Sequence, residues 1–289
     1  MMFMVIDVSY LMHRAFHVMG DLAHGGEMTG ALFGFFRDIQ DLQDLLAVDR
    51  IAFACDYGHT YRSELLPSYK EKRHTKERSE EEQEARKELQ RQISALRDKW
   101  LPMCGYRNVF KQPGVEADDL VAMAVKALPA DSEAVIVSAD SDLWQLVREG
   151  VWCYNPTTRK ATTHTSFQRD WGIPPALWPN VKALAGDTSD EIPGIPGIGL
   201  KSAAAWYARK LKACAGKPKK DGSPCKCKRC LIERNLTIHN DNVKLTRIPC
   251  PGVDPVHWRE DEWTDAKWLV VAERLGFASL VGRKGKQRA

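Results

Sequence analysis

Nine acidic side chains stand out by their settings. Asp7 and Asp56 follow apolar runs, MFMVI and IAFAC; Asp140 closes a third, AVIVSAD, with Asp142 two residues on. Glu116, Asp118 and Asp119 open a helical pattern in GVEADDL, and Asp187 and Asp190 sit in GDTSD ahead of a glycine-rich turn. Taken alone, two of these sets have ordinary explanations, since acids cap helix starts and SADSD is a common strand-to-turn signal. Asp7 and Asp56 resist that explanation, because a carboxylate closing a buried strand is costly unless solvated or paired. Carboxylates brought together repel one another and take up protons unless cations are present. Their natural partners are hard divalent ions such as Mg²⁺ or Mn²⁺. Two such ions about 4 Å apart activate a water and stabilise the leaving oxygen of a phosphodiester.

Positioning these groups requires a particular scaffold. The three apolar runs are uniformly hydrophobic and alternate with helical patterns at residues 30–46, 79–100 and 117–128. That alternation predicts an α/β fold with a mostly parallel central sheet covered by helices on both faces. Ligands gather beyond the carboxyl ends of such strands, so Asp7, Asp56 and Asp140 are expected to converge. Residues 69–99 carry ten basic and eight acidic side chains, the composition of a charged helix projecting toward solvent or substrate. Beyond residue 170 the strand signals fade. The Gly and Pro turn in GDTSDEIPGIPGIGLKSAAA lies between two helical patterns, where backbone amides and a helix start can approach a phosphate. A mostly helical unit is therefore expected over 171–289, with an insertion at 214–250 too polar for core and a basic tail at 282–289. An amphipathic helix resumes at Trp268.

The chain has 289 residues and a net charge of +4, from 42 Lys and Arg against 38 Asp and Glu. With the nine acids set aside, the remaining 29 leave the rest at +13, and residues 201–230 alone hold ten basic residues and one acidic. A basic body around an acidic pocket suits a polyanion presented to metal ions. No stretch of eighteen apolar residues exists, and the start of the chain lacks the pattern of a secretory leader, so the expectation is a cytoplasmic chain with no membrane partner.

Six stretches in order resemble the structure-specific 5′ nuclease family, which comprises flap endonucleases, phage 5′ exonucleases and the N-terminal nuclease domain of bacterial DNA polymerase I. They are VIDVSYLMHRAFH, TGALFGFFRDI, YRSELLPSYKEKR, GVEADDLVA, SADSDLWQLV and GDTSDEIPGIPGIGLKSAA, spanning residues 3–205, about 70% of the chain. The resemblance implies a PIN-like nuclease core over 1–170, a helical arch at about 70–100, and a helix–three-turn–helix element at about 183–210. It places Asp7, Asp56, Glu116, Asp118 and Asp140 in a first metal cluster, with Asp119 adjoining, and Asp142, Asp187 and Asp190 in a second. It also implies that Tyr69 stacks on the displaced nucleotide, and that Lys70, Arg73 and Arg14 attend the scissile phosphate. Gly194, Gly197, Ile198, Gly199 and Lys201 correspond to the family's contacts with duplex backbone, where loop carbonyls also hold K⁺. Two departures are a valine at position 8, where the family usually has glycine, and a loop from Asp56 to Arg62 about one residue short.

These features imply a metal-dependent 5′–3′ exonuclease and flap endonuclease acting as a monomer on nicked or branched DNA with a 5′ end or flap, with RNA–DNA hybrids as further substrates. The alternative is a catalytically inactive protein that binds DNA junctions. Five cysteines, Cys214, Cys225, Cys227, Cys230 and Cys250, crowd the C-terminal third beside many lysines, with His239 near in sequence. They admit two readings, structural Zn²⁺ held by four or more thiolates or a flexible basic loop with reduced thiols.

Overall fold

The computed structural model describes residues 1–75, 77–214 and 224–281. Its centre is β1 (Met2–Asp7), whose Phe3, Met4, Val5 and Ile6 are all 0% exposed, so both faces of this strand are covered. Side chains alternate across a strand. Met4 and Ile6 accordingly face one hydrophobic core and Phe3 and Val5 the other.

The chain runs from β1 into α1 (Val8–Met19), passes a small hairpin of β2 (Ala23–His24) and β3 (Glu27–Met28), and enters α2 (Gly30–Leu46). Next come β4 (Arg50–Ala54), two short helices α3 (Thr60–Leu65) and α4 (Lys72–Thr75), and the long α5 (Glu80–Ala95). Ser79 starts α5 with a reciprocal cap: its hydroxyl accepts from the Glu82 amide, and the Glu82 carboxylate accepts from the Ser79 amide. One wider turn over Leu96–Trp100 carries the helix into α6 (Leu101–Cys104), which stops at Gly105 with φ at 93°. The remaining core elements are β5 (Val109–Phe110), α7 (Ala117–Lys126), β6 (Glu133–Val137), β7 (Val151–Asn155) and β8 (Lys160–Thr162).

The six-stranded sheet has the order β5-β4-β1-β6-β7-β8. All neighbours pair in parallel except β7 with β8. Asp7 lies in register with Ala54, and Ile6 with Val137, so β1, β4 and β6 end at one edge. The expected α/β architecture and mostly parallel sheet are therefore present, and the three strands that end ahead of acidic residues are adjacent.

A second hydrophobic centre surrounds Trp178, packed with Phe167, Val181, Leu184, Ile195, Ile198 and Ile232. It is built from α8 (His164–Trp171), α9 (Trp178–Ala185), α10 (Leu200–Tyr207), α11 (Lys228–Arg234) and α12 (Leu236–Thr246). Two expectations need correction here. The stretch 214–250 is not uniformly too polar for core: Ile232 is fully buried, and buried Asn242 on α12 donates to the carbonyls of Ala183 at 3.0 Å and Pro193 at 2.5 Å. Nor does the chain beyond 171 stay in one helical unit. Helix α13 (Asp265–Leu275) and α14 (Ala278–Val281) bury Trp268, Val271, Leu275 and Leu280 in the core of the sheet, against residues of α2. Their apolar faces close over that core, with the Trp268 ring 5.1 Å from that of Phe36 on α2. The basic tail 282–289 lies outside the described residues.

Candidate active site

Eight of the nine acidic residues singled out by sequence line one cavity of about 1510 Å³: Asp7, Asp56, Glu116, Asp118, Asp140, Asp142, Asp187 and Asp190. Four of them stand at the ends of β1, β4 and β6 and the start of α7. Asp7 caps α1, accepting from the Tyr10 amide at 3.0 Å, while its other oxygen accepts from the Ser138 hydroxyl at 2.9 Å. Asp56 accepts from the Ala117 amide at 2.8 Å, which pins the short loop after β4 to the start of α7. Asp140 caps the turn after β6 by accepting from the Asp142 amide at 2.8 Å. Asp118 projects from the first turn of α7. Among the described residues, no lysine or arginine ion pair reaches these four carboxylates.

Burial, together with Asp56 and Asp140, pushes the Asp7 carboxyl up to about 7. Burial, with Asp140 and then Asp7, lifts Asp118 well above the usual carboxylate range. Four hard oxygen donors at one cavity, among which burial and neighbouring carboxylates raise Asp7 and Asp118, fit divalent cations, whose charge would reverse that repulsion.

The other four carboxylates are paired with cations of this chain. Lys182 on α9 reaches Asp142 at 2.8 Å and also pairs with Asp187. Burial would raise Asp187, but Lys182 and the Ser189 hydroxyl hold it low; burial and Asp140 still push Asp142 up to about 7. Lys70 pairs with Glu116 and approaches Asp190 at 3.7 Å, and Arg73 donates to Asp190 at 2.7 Å. Burial works against the Lys70 ammonium, yet Glu116 and Asp190 more than offset it and raise its pKa. Its backbone is left-handed, φ 57°, and its amide donates a hydrogen bond to the Asp190 carbonyl at 3.2 Å.

Three expected site residues do other work. Asp119 is fully buried and turned away from the cavity, because successive helical residues point about 100° apart. It takes a forked pair from Arg62 at 2.7 and 3.0 Å and accepts from the Cys250 amide at 2.8 Å. Arg14 points from α1 toward α2, where it pairs with Asp38, and does not line the cavity. Tyr69 is 4% exposed, too enclosed to offer a stacking face; its hydroxyl donates to Glu116 at 3.1 Å or to Asp190 at 3.2 Å.

Sequence reasoning missed Lys182, Arg62, His13 and the cavity-lining face of α5. Arg62 is 3% exposed; it bonds Glu116 at 2.8 Å and the Leu245 carbonyl at 2.9 Å as well as Asp119, joining α3, α7 and α12. We expect Arg62→Met to lower stability by about 3–5 kcal/mol, because it leaves Asp119 charged and unpaired in the interior. Urea denaturation checks this; Arg62→Met/Asp119→Leu is expected to regain part of the loss, and a single variant as stable as the parent would refute it. Along α5, Glu82, Ala85, Arg86, Leu89, Gln90, Ile93 and Ser94 line the cavity, a stripe at three- and four-residue spacing. On α1, Ser9, Tyr10, His13 and His17 do the same, with burial and His17 holding the His13 imidazole low. That helical spacing was readable in the sequence; the pairings of Arg62 and Lys182 were not.

Beside the cavity, α9, the turn over 186–199 and α10 make a helical hairpin. A Cβ on Gly186 would stand 2.3 Å from the Gly194 amide nitrogen, and one on Gly194 would stand 2.1 Å from the Ala185 carbonyl oxygen. These two glycines let the Asp187 loop press against the turn. Gly194 is thus a packing residue. Ile198 likewise belongs to the second core, 4% exposed, with its amide bonded to Ile195. Gly197, Gly199 and Lys201 are exposed at the start of α10.

Cys214, Cys225, Cys227 and Cys230 come together with their sulfurs within 4.8 Å of one another. Cys250 does not join them; it is buried beside Asp119. His239 also stands apart, bonded to Tyr207 and Asn180.

A family model described as the 5′-3′ exonuclease, N-terminal resolvase-like domain matches residues 2–172. DNA polymerase I of Mycobacterium leprae is 34% identical over 216 residues, covering 71% of this chain and 22% of that protein. The 5′-3′ exonuclease of Aquifex aeolicus is 30% identical over 202 residues, covering 69% of this chain and 66% of that one. This chain thus spans about a fifth of the length of the polymerases it matches. Among solved structures, T5 5′-exonuclease with bound divalent zinc ions superposes with a TM-score of 0.71 at 23% identity, covering 86% of this chain and 90% of that one. The catalytic core of Rad2 in complex with DNA substrate gives 0.55 at 14% identity, covering 94% and 87%. Those structures share the fold, a helix-flanked sheet, while the family model and the sequence relatives establish kinship. By that kinship, and with its strand-end acids gathered at one cavity, the chain belongs to the 5′-3′ exonuclease family.

Proposed function

We propose that this chain hydrolyses DNA phosphodiesters at the junction of a 5′ single strand and a duplex, as a divalent-metal-dependent 5′–3′ exonuclease and flap endonuclease leaving a 5′ phosphate and a 3′ hydroxyl. The observation that carries this reading is the meeting of eight carboxylates from separate chain segments in one cavity that Arg73, Arg78, Arg86 and Arg97 also line. An inactive junction binder would have no use for eight carboxylates gathered in one cavity, four of which pair with no described lysine or arginine.

Asp7, Asp56, Asp118 and Asp140 would hold the metal, Mg²⁺ or Mn²⁺, with Asp142 and Asp187 beside them. Two ions bound there supply Lewis acidity to the phosphodiester and lower the pKa of a water. The rest follows from the chain's own side chains. Lys70 is buried, charged and fixed by Glu116, so it offers a preorganised cation to the charge that develops on the phosphoryl oxygens. Arg73, half exposed, can exchange Asp190 for a phosphate with a bidentate grip. Tyr69 holds Glu116 and Asp190 in place and so aligns Lys70. Arg86 of α5, with Arg78 and Arg97 on either side of that helix in the chain, guides the single strand across the cavity mouth, and the exposed start of α10 with Lys201 holds duplex phosphates without reading bases. Carbonyls of the turn 194–199 would take the K⁺ that the family resemblance implies.

Labelled 5′-flap, nicked, blunt and RNA-primed substrates, incubated with Mg²⁺ or EDTA, test the reading. We expect Mg²⁺-dependent release of short 5′ products from the flap and nicked DNA. Tight junction binding without cleavage would favour the inactive alternative, and cleavage of the RNA-primed arm alone would shift the substrate class. Lys201→Ala is expected to weaken duplex binding across sequences and to reduce the slope of log K against log salt by about 1. An unchanged slope would remove the backbone-clamp role of α10.

A further inference from the structure

The four grouped cysteines lie outside the catalytic cavity and outside everything the carboxylates do. Cys214 follows α10, while Cys225, Cys227 and Cys230 precede and enter α11. The Cys214 and Cys225 sulfurs are 3.5 Å apart. Backbone amides point at the group as well: the Cys227 amide donates to the Cys225 sulfur at 3.4 Å, and the Cys230 amide to the Cys227 sulfur at 3.5 Å. Such amide donors favour thiolate over thiol. All eight cysteines are free, so the closeness is not that of a disulfide, whose sulfurs stand about 2.05 Å apart. Tetrahedral coordination with metal–sulfur bonds of about 2.3 Å separates its sulfurs by about 3.8 Å, which the observed grouping accommodates.

The surroundings show what such a site would hold together. Helix α11 is short and contributes only Cys230 and Ile232 as buried residues. Its basic residues nevertheless reach the helical hairpin: the Lys228 ammonium donates to the buried Ser202 hydroxyl on α10 at 2.5 Å, and the Arg229 guanidinium lies 5.9 Å from the Trp206 ring centre. Arg234 caps the group from the other side by donating to the Cys225 carbonyl at 2.5 Å.

We propose that Cys214, Cys225, Cys227 and Cys230 bind one structural Zn²⁺ with four thiolates, and that this ion fastens the basic helix α11 to α10 beside the duplex-binding turn. The segment lacks the apolar area to fix itself, and a cross-link between positions 214 and 230 supplies the missing constraint. Cys250 and His239 take no part. Four thiolates and one divalent ion carry a net charge of −2, which Lys226, Lys228, Arg229 and Arg234 offset.

The test uses the full chain purified under reducing conditions without chelator, then passed over brief EDTA to clear the carboxylates. Elemental analysis is expected to find one zinc per chain. After acid stripping and anaerobic addition of Co²⁺ alone, one equivalent is expected to give the intense visible and near-ultraviolet bands of tetrahedral cobalt thiolate, bleached by one equivalent of Zn²⁺. Oxygen ligands of the catalytic cavity give only faint six-coordinate bands, so the two sites are distinguishable. Cys250→Ser is expected to keep the full spectrum, and Cys225→Ser/Cys230→Ser to lose it and to bind duplex about 10-fold more weakly. The parent protein's own cobalt titration needs no variant to fold. Four thiols reacting at once with a thiol reagent, no zinc and no charge-transfer band would overturn the proposal, as would a disulfide among the four in freshly purified protein.

Discussion

Asp118→Asn is expected to lower Mg²⁺-dependent cleavage of a 5′ flap by at least about 10³-fold, the upper end of what losing one preorganised electrostatic contact costs. The same substitution is expected to stabilise the metal-free protein. Burial and the neighbouring Asp140 and Asp7 raise the Asp118 pKa from its ordinary 3.8, so its ionised form opposes folding. For a carboxyl raised in the fold, stability is fully present below the unfolded pKa and is lost as pH rises through the folded value. At pH 8 in EDTA the neutral amide removes that cost, and Tm is expected to rise by about 3–6 °C, on a scale of roughly 2–4 °C per kcal/mol for a chain of this size. Added Mg²⁺ should raise Tm of the parent more than that of the variant. Junction binding in Ca²⁺ or EDTA should persist, since no phosphate contact is removed. Turnover within 10-fold of the parent would refute the assignment of Asp118 as a ligand. A fall in both activity and metal-free Tm would show instead that the amide damages the fold.

Lys70→Met is expected to reduce kcat by about 10²–10³-fold while leaving junction affinity within a few-fold, because the ammonium faces charge that grows during the reaction. Lys70→Arg should recover part of the loss through the retained charge. The pH dependence separates an electrostatic role from proton transfer. Glu116 and Asp190 raise the Lys70 pKa against the effect of burial, so the group stays charged across neutral pH. The ratio of parent to Lys70→Met rates is therefore expected to be flat from about pH 6 to 9. A ratio that collapses as pH rises through that window would show an amine losing its proton, and with it the electrostatic role.

Much of the scaffold was legible because its signals are local. An apolar run such as MFMVI, followed by Asp7 and a helical pattern, specifies a buried strand with a polar end wherever it stands in the chain, and three such runs imply a parallel sheet. Asp7, Asp56 and Asp140 could be expected to meet at one sheet edge for that reason, and they line one cavity. The direction of neighbouring side chains was not legible to the same degree. Asp118 and Asp119 are equally acidic, yet helical phase sends one into the cavity and the other to Arg62. Arg14 and His13 divide in the same way, toward Asp38 and toward the cavity.

What the sequence alone determined was therefore an inventory: hard oxygen donors at strand ends, a basic body to meet a polyanion, a glycine turn between helices, and thiols crowded in one stretch. Tertiary structure decided how that inventory is partitioned. Lys182 meets Asp142 across 40 positions, Arg62 meets Glu116 and Asp119 across 54 and 57, and Cys250 ends beside Asp119 rather than with its neighbours in the chain. Periodicity and composition act over a few residues and survive in any window of the chain. Charge pairing depends on distances set only when remote segments pack, so the same acid becomes a cavity-lining carboxylate, a salt-bridge partner or a buried strut according to what the folded chain places opposite it.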